Sequence, residues 1–480
     1  MVALKNLIAA LCVAGSFEPL GFWFLAPIGY ALWIHSLVHD HHQVRNTLIF
    51  GFISNALILQ WSGVYVGALP WLALSLLQSI YLIPVAMISK RISSKHLSRV
   101  GFIIVLVLLS EEIRARFPFG GFGWTRIAFS QINSPFASLS SLGGVALVSF
   151  STLLLSWLLV TRKRSQAFAV LALLVVSGIT PHISLGNVDN NTNGTIRIRA
   201  VQGGTPSVGL DFNSRALGVL KMHIEQSLKD FEPTDELIIW PENAIDIDPS
   251  KNAEVAELIT SFTTKIDRPL LAGAIISTLS GPKNAVIYFD EQGKIQEIYE
   301  KRYLTPFGEY IPLRSIAELV SPYAGQVNDF IPGNRQTIFN IKGISASSVI
   351  CYEIINDGLV RKSSNSSDLL FVHTNSATFA NTSEGDQQLS ITRFRAVEHQ
   401  RSILSVSTTG PSAYLDNRGE VLSYLPDGAR GSIEVEIQAD HERSISSTLG
   451  GVTNIATLFA ALLLALIGSQ RRRISWLTRT

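Results

Sequence analysis

Apolar and polar positions divide the chain into two regimes. Residues 1–185 and 452–470 are dominated by long apolar runs, whereas about 195–445 alternates short apolar runs with turns and charged stretches. A helix needs about 20 apolar residues to cross a bilayer core of about 30 Å. Runs near 4–17, 20–38, 46–61, 68–88, 100–116, 138–160, 166–184 and 452–470 predict about eight such helices. Lys5 ahead of the first run also fits a signal peptide, but the further apolar runs behind it favour an uncleaved helix. In the polar region, strand-like runs occur at Ile196–Gln202, Glu236–Trp240, Leu270–Ile276, Ala285–Phe289, Ser345–Ile350, Leu369–His373 and Ile403–Thr408. Helical stretches intervene at Leu217–Lys229, Ala253–Lys265 and Gln387–Arg401. Strands alternating with helices predict an α/β domain with a buried sheet. The expected organisation is a membrane domain over 1–185, a catalytic domain over 195–445, a last span over 452–470 and a basic tail over 471–480.

Composition agrees with this division. The 480 residues are 47% hydrophobic and 16% charged, against about 25% charged in an average soluble protein, and the mean hydropathy is +0.28. A net charge of +2 gives no argument for nucleic acid. Two cysteines, Cys12 and Cys351, make no disulfide framework, and both are expected free. Lipidation of Cys12 fits poorly, because Leu11 stands where lipoprotein processing prefers a small residue. Cytoplasmic loops carry an excess of Lys and Arg. With the N-terminus in the cytoplasm, His39–Arg45, Lys90–Arg99, Arg162–Arg164 and Arg471–Arg473 all fall on that side, and 185–451 falls outside. The exception is the loop holding Arg114, Arg116 and Arg126, whose cations either meet lipid phosphates or simply snorkel.

Three polar segments carry candidate chemistry. Cys351 ends the run Ser-Ser-Val-Ile and precedes Tyr352 and Glu353. Glu242 lies in Ile-Ile-Trp-Pro-Glu-Asn-Ala, and Lys301 opens Lys-Arg-Tyr-Leu-Thr-Pro-Phe-Gly-Glu309-Tyr. An ordinary thiol has a pKa of about 8.5, so a nearby ammonium would favour the attacking thiolate. A carboxylate within reach can take the thiol proton and return it to a leaving group. Lys301, helped by the Tyr352 backbone N–H, could stabilise a tetrahedral oxyanion. Singly, each residue has a plainer reading: a buried small hydrophobe for Cys351, a helix cap for Glu242 and a solvated charge for Lys301. No convincing metal spacing is present, and no cofactor is expected.

Together the three segments resemble the Glu-Lys-Cys signature of the nitrilase superfamily. With spans on both sides, the whole chain resembles the apolipoprotein N-acyltransferase family. Ser16-Phe-Glu-Pro-Leu-Gly resembles that family's entry segment. Glu111-Glu-Ile-Arg114, Gly121-Phe-Gly-Trp124 and Ser130-Gln-Ile-Asn-Ser-Pro135 resemble its charged, aromatic membrane loop. The resemblance implies a nitrilase-like α-β-β-α sandwich inserted between about eight transmembrane helices. It implies Glu242 as base, Lys301 as transition-state stabiliser and Cys351 as nucleophile, supported by Glu309, Tyr352 and Glu353. Arg114, Trp124, Phe212, Asn375 and Phe379 are its substrate-lining candidates. Two places depart from the family pattern. Thr374-Asn375-Ser376-Ala377-Thr378-Phe379 lacks the expected Trp and Gly, and no Trp follows Gln202, where Phe212 is the nearest aromatic.

The implied reaction passes an acyl chain from a phospholipid to Cys351, then to the α-amine of a lipoprotein's diacylglyceryl-cysteine. The setting implied is the bacterial cytoplasmic membrane, multi-pass and monomeric, with the catalytic domain extracytoplasmic. Competing readings are a membrane-tethered amidase using water as second nucleophile, a non-catalytic scaffold, and a transporter. The scaffold fits poorly with the joint presence of Glu242, Lys301, Glu309 and Cys351. The transporter fits poorly with so few paired charges in the spans. The Gln387–Arg401 stretch, with Arg393, Arg395, Glu398 and Arg401, is expected to hold intrahelical ion pairs.

Overall fold

A computed structural model of the chain describes residues 2–64, 67–91, 96–162, 164–180, 194–208, 217–320, 325, 328–439 and 443–477, with the backbone alone at 96–98, 164–165, 316, 319–320 and 467–477. The chain divides into two units, with breaks between 184 and 185 and between 443 and 444.

The first unit is helical. Its N-terminal part holds α1 (Val2–Ala14), α2 (Leu25–His39), α3 (Gln43–Ile58), α4 (Ala68–Ile80), α5 (Ile83–Arg91), α6 (His96–Arg114), α7 (Ser140–Thr161) and α8 (Arg164–Ile179). Every apolar run expected to span is helical over most of its length. Among the described residues two stretches, 68–91 and 137–161, are long and apolar enough on their own to cross a membrane. The expected count of about eight goes beyond this: α1 and α8 have 13 and 16 residues, and α6 carries Arg99, Glu111, Glu112 and Arg114.

The cationic loop after α6 has a structural explanation that neither sequence reading offered. Glu111 Oε1 accepts from the Ile127 N–H at 2.7 Å and from Arg114 at 3.2 Å. Glu112 pairs with Arg126 at 2.7 Å and also with Arg116. Arg114 and Arg126 are both buried. The loop's cations are thus neutralised by their own neighbours, and only Arg116 reaches solvent.

The second unit begins at β1 (Thr195–Gln202), then α9 (Gly218–Asp230), β2 (Leu237–Ile245), α10 (Ala253–Ile266), β3 (Leu270–Thr278), β4 (Gly281–Phe289), β5 (Ile295–Glu300) and α11 (Arg314–Val320). It continues with β6 (Phe339–Ile341), β7 (Ile344–Ile350), α12 (Asp357–Ser366), β8 (Leu369–Thr374), α13 (Glu384–His399), β9 (Ile403–Ser407), β10 (Ser412–Leu415), β11 (Val421–Leu425) and β12 (Gly431–Gln438). The chain then re-enters the first unit through α14 (Ile445–Leu449) and α15 (Gly451–Leu477).

Two six-stranded sheets result, ordered β12-β1-β2-β3-β4-β5 and β11-β10-β9-β8-β7-β6. In each, three strands run parallel, β1-β2-β3 and β7-β8-β9. Alternate residues of a strand face opposite sides, and this decides the layers. Ile196, Ile198, Leu237, Ile239, Val435 and Ile437 of the first sheet pack against Ala346, Ile350, Leu369, Phe371, Leu404 and Val406 of the second. The opposite face of the first sheet, with Ile238, Trp240 and Leu270, packs on Leu220, Val255, Ile259 and Phe262 of α9 and α10. Helices α12 and α13 cover the second sheet. The outcome is the α-β-β-α sandwich. β5, β6, β10, β11 and β12 were not among the strand runs recognised in the sequence, and Glu242 lies inside β2 rather than beyond it.

Candidate active site

The site gathers at one end of the parallel strands. Glu242 stands where the pairing of β2 with β3 shifts between Trp240 and Ile245, next to Asn243 at φ 57°. Lys301 follows β5 directly, its backbone N–H donating to Asn284 O at 2.8 Å. Cys351 follows β7 and opens a single 3-10 turn, Cys351–Ile355. Its φ of 48° is a conformation non-glycine residues adopt uncommonly, and it lifts the thiol out of the strand line.

Lys301 Nζ is almost fully buried and lies 3.2 Å from Glu242 Oε1 and 2.9 Å from Glu309 Oε2. It also donates to Thr305 Oγ1 at 3.3 Å. Asn284, which the sequence reading did not single out, ties the carboxylates together. Its Nδ2 donates to Glu242 Oε1 at 2.6 Å and to Glu309 Oε1 at 2.7 Å. Glu309 also accepts the Thr305 N–H at 2.7 Å, which fixes the turn between them. Two carboxylates therefore confront one ammonium, all buried.

Electrostatics follow from that ratio. Burial alone would push the Lys301 ammonium down, but the charges of Glu242, Glu309 and Cys351 outweigh it and hold the group above its ordinary range. Desolvation raises Glu242, and Glu309 adds to the rise against the pull of Lys301 and Asn284. The Cys351 thiol is pushed well above its ordinary range by burial first and by Glu242 next, with Lys301 opposing. Lys301 does act toward the thiolate, as expected, but burial of the thiol and the charge of Glu242 outweigh it. The resting pair is a neutral thiol beside a carboxylate of raised basicity, an arrangement suited to proton transfer at the moment of attack.

Glu353 does not serve the thiol directly. Fully buried, it accepts from the Arg302 and Tyr303 N–H groups at 2.7 and 3.1 Å, from the Ile350 N–H at 2.9 Å and from Tyr299 Oη at 2.8 Å. It clamps the turn after Lys301 to the turn bearing Cys351. Tyr352 is buried beside it.

Helix α13 supplies a further contact. Gln388 Nε2 donates to Cys351 Sγ at 3.5 Å, and Glu384, one turn earlier, accepts from Ser376 Oγ at 2.9 Å. Buried Glu384 is pushed up to about 7 by desolvation, with Glu242, Asp427 and Asp386 acting the same way. The expectation of ion pairs within this helix holds for Arg395–Glu398, but Arg395 also reaches Asp357 at 2.7 Å. Arg393 and Arg401 donate to backbone carbonyls outside the helix.

The substrate-lining candidates separate. Asn375 Oδ1 accepts the Ala377 N–H at 3.0 Å and starts the short turn that contains Phe379. Arg114 and Trp124 belong to the first unit, where Arg114 bonds Thr125 and Trp124 packs on Trp61 at 5.1 Å. Phe212 lies outside the described residues. Among the described residues no group of His, Cys, Asp and Glu is arranged to hold a metal.

Residues 197–446 match the carbon-nitrogen hydrolase family, and residues 9–180 match the apolipoprotein N-acyltransferase N-terminal domain. The chain belongs to the apolipoprotein N-acyltransferase family. It is an enzyme of the carbon-nitrogen hydrolase superfamily. An apolipoprotein N-acyltransferase of Mycolicibacterium smegmatis is 29% identical, over 94% of this chain and 82% of its own. That of Aquifex aeolicus is 28% identical, over 89% and 97%. Among solved structures, a carbon-nitrogen hydrolase superfamily protein from Xanthomonas campestris is similar at a TM-score of 0.40 and 18% identity, covering 55% of this chain and 97% of that one.

Proposed function

We propose that this acyltransferase moves a fatty acyl chain from a membrane phospholipid to the α-amine of a lipoprotein's N-terminal diacylglyceryl-cysteine, through a thioester on Cys351. The observation that carries the reading is the buried Glu242–Lys301–Glu309 cluster, of which Glu242 and Lys301 act on a thiol held in a strained turn.

In the first step Cys351 Sγ attacks the phospholipid ester carbon and its proton passes to Glu242. Lys301 Nζ and the Tyr352 backbone N–H stabilise the oxyanion. The C–O bond breaks, Glu242 returns the proton to the departing oxygen, and a lysophospholipid leaves. In the second step the acceptor amine attacks the thioester carbon. Glu242 takes a proton from nitrogen, the C–S bond breaks, and the proton returns to the sulfur as the amide forms. Glu309 and Asn284 hold Glu242 and Lys301 in place throughout.

The membrane reading rests on sequence and on the helical first unit. About eight helices cross the cytoplasmic membrane, the basic loops stay in the cytoplasm and 195–445 lies outside. The enzyme acts as a monomer. Both substrates carry chains that favour the bilayer, which gives the membrane unit a purpose that a water-using amidase would not need.

The test is intact-mass analysis of the protein given phospholipid alone. One fatty-acyl increment should accumulate, labile to neutral hydroxylamine and missing in Cys351→Ala. A diacylglyceryl-cysteine peptide should discharge it as an amide. Steady release of free acid, with no acyl group ever on Cys351, would make the enzyme a hydrolase instead.

A further inference from the structure

The layer between the two sheets is built mainly of aliphatic and aromatic side chains, yet on β7 and β8 two polar residues sit at its core-facing positions. On β7 the inward set is Ile344, Ala346, Ser348 and Ile350, and on β8 it is Leu369, Phe371 and His373. All but Ser348 and His373 belong to the apolar cluster. Ser348 and His373 are 1% and 0% exposed, so their polar atoms have no recourse to water.

They are bonded to each other and across the layer. His373 Nδ1 lies 2.9 Å from the carbonyl oxygen of Trp240 on β2, and its Nε2 lies 3.0 Å from Ser348 Oγ. A carbonyl only accepts, so Nδ1 carries the proton; Nε2 then accepts and the Ser348 hydroxyl donates. Burial pushes the imidazole down to about 4, against the Trp240 hydrogen bond, and the ring stays neutral in this one tautomer.

The two ends of this relay lie close to the site. Ser348 precedes Cys351 by three residues on the strand that delivers the thiol, and Trp240 precedes Glu242 by two. Trp240 is also where β2 loses register with β3, so the first sheet alone fixes the next residues less firmly. A second tie acts beside the first. Thr408 Oγ1 donates to Glu242 O at 3.0 Å and lies 3.4 Å from the carbonyl of Thr374, the neighbour of His373. The backbone of the Glu242 segment is thus tied also to the second sheet, the sheet that carries Cys351, while Asn284 of the first sheet holds its carboxylate.

Stability alone gives little reason for such a pair. Replacing both partners of a buried hydrogen bond by apolar groups is close to neutral or stabilising, and the surrounding layer is already apolar. We propose that Ser348 and His373 are positioning residues that set the separation of the Glu242 carboxylate from the Cys351 sulfur, and so the rate of proton transfer from the thiol. This rests on the roles given to Glu242 and Cys351 above.

The test uses the full-length protein with Ser348→Ala, Ser348→Thr, His373→Leu and the double variant Ser348→Ala/His373→Leu. Iodoacetamide labelling of Cys351 across pH, read by peptide mass, reports the base–thiol coupling without substrate, and Cys12 serves as the internal reference. In the double variant, where only the Trp240 carbonyl loses its His373 donor, the thermal midpoint should fall only modestly while the Cys351 labelling profile shifts. Its kcat should fall on the order of 10- to 100-fold, as for misplacements well under or near 1 Å, with KM for phospholipid unchanged. Ser348→Thr, which keeps the hydroxyl, should stay within a few-fold of the parent. A double variant with parental labelling profile and kcat overturns the proposal. So does a loss of kcat that tracks a lower thermal midpoint with no shift in the profile. If the His373 variants do not fold, Ser348→Ala decides by the same readouts. Glu242→Gln separates the underlying reading: if it leaves Cys351 labelling and turnover intact, the catalytic assignment itself is wrong.

Discussion

Replacing Lys301 by Met tests the site where its charges are most tightly balanced. The ammonium lies 3.2 Å from Glu242 and 2.9 Å from Glu309. At an effective dielectric of about 20, each of those contacts is worth about 5 kcal/mol of Coulomb attraction. Desolvation of the buried cation offsets much of this, and breaking a buried pair from one side costs about 3–5 kcal/mol net. Lys301→Met leaves two carboxylates bridged only by the Asn284 amide, and one of them must take up a proton. A carboxyl whose folded pKa is raised loses stability as pH rises past its unfolded value, so the variant should be weaker at pH 8 than at pH 5. Turnover should fall by about 10²–10³ or more through loss of the oxyanion donor. Adding Glu309→Gln removes the surplus charge and should restore most of the thermal midpoint while turnover stays lost. The measurements are thermal unfolding in detergent at the two pH values, and acyl transfer to a lipopeptide. Parental turnover in Lys301→Met, or recovered turnover in the double variant, would refute the argument.

Two further outcomes follow from other parts of the chain. Glu384, pushed up to about 7 from 4.5 by burial, opposes folding once the unfolded chain ionises. The penalty is absent below about pH 4.5, grows to pH 7 and stays complete above, so Glu384→Gln should stabilise by about 3 kcal/mol at pH 8 and hardly at all at pH 4; equal gains at both would exclude it. Reporter fusions after Arg164 and near Asn193 should report opposite sides of the membrane, and the same side for both would overturn the seven helices placed before the catalytic domain.

What could be read from sequence depended on whether the information was local. Leu369–His373 is apolar enough to announce strand β8, because a parallel strand buried on both faces is nearly continuous in apolar residues, whereas Ser345–Ile350 is half serine and is marked as β7 mainly by the Val349-Ile350 pair before Cys351. Strand β5, Ile-Gln-Glu-Ile-Tyr-Glu, lies at a sheet edge, and its polar residues read as loop. Strand β12 alternates Ile433, Glu434, Val435, Glu436 and Ile437, a period of two that was there to be counted. Cys351, Glu242 and Lys301 stood out because each sits in a distinctive local setting. Asn284 did not, since its meaning lies in carboxylates 42 positions before and 25 after it. Gln388 lies in a helix that the sequence shows, but its contact with Cys351 and the part of Glu384 are not legible there, because nothing near them in sequence indicates that their helix turns toward a thiol.

The balance of charge at the site was the least legible feature. From sequence, a lysine near a cysteine argues for a thiolate, and that inference decides the outcome only while the thiol keeps its solvation. Burial of the thiol comes first and the charge of Glu242 next, and together they outweigh Lys301, which still pulls toward the thiolate. The nucleophile must then be made at the instant of use rather than held ready. A neutral thiol is a poor target for adventitious alkylation and oxidation, which suits an enzyme that waits for substrates delivered through a membrane. It also makes the position of Glu242 relative to Cys351 the quantity on which turnover depends. That position is governed by residues of both sheets, Asn284 on β4, His373 on β8 and Thr408 after β9, none of which carries the reaction itself.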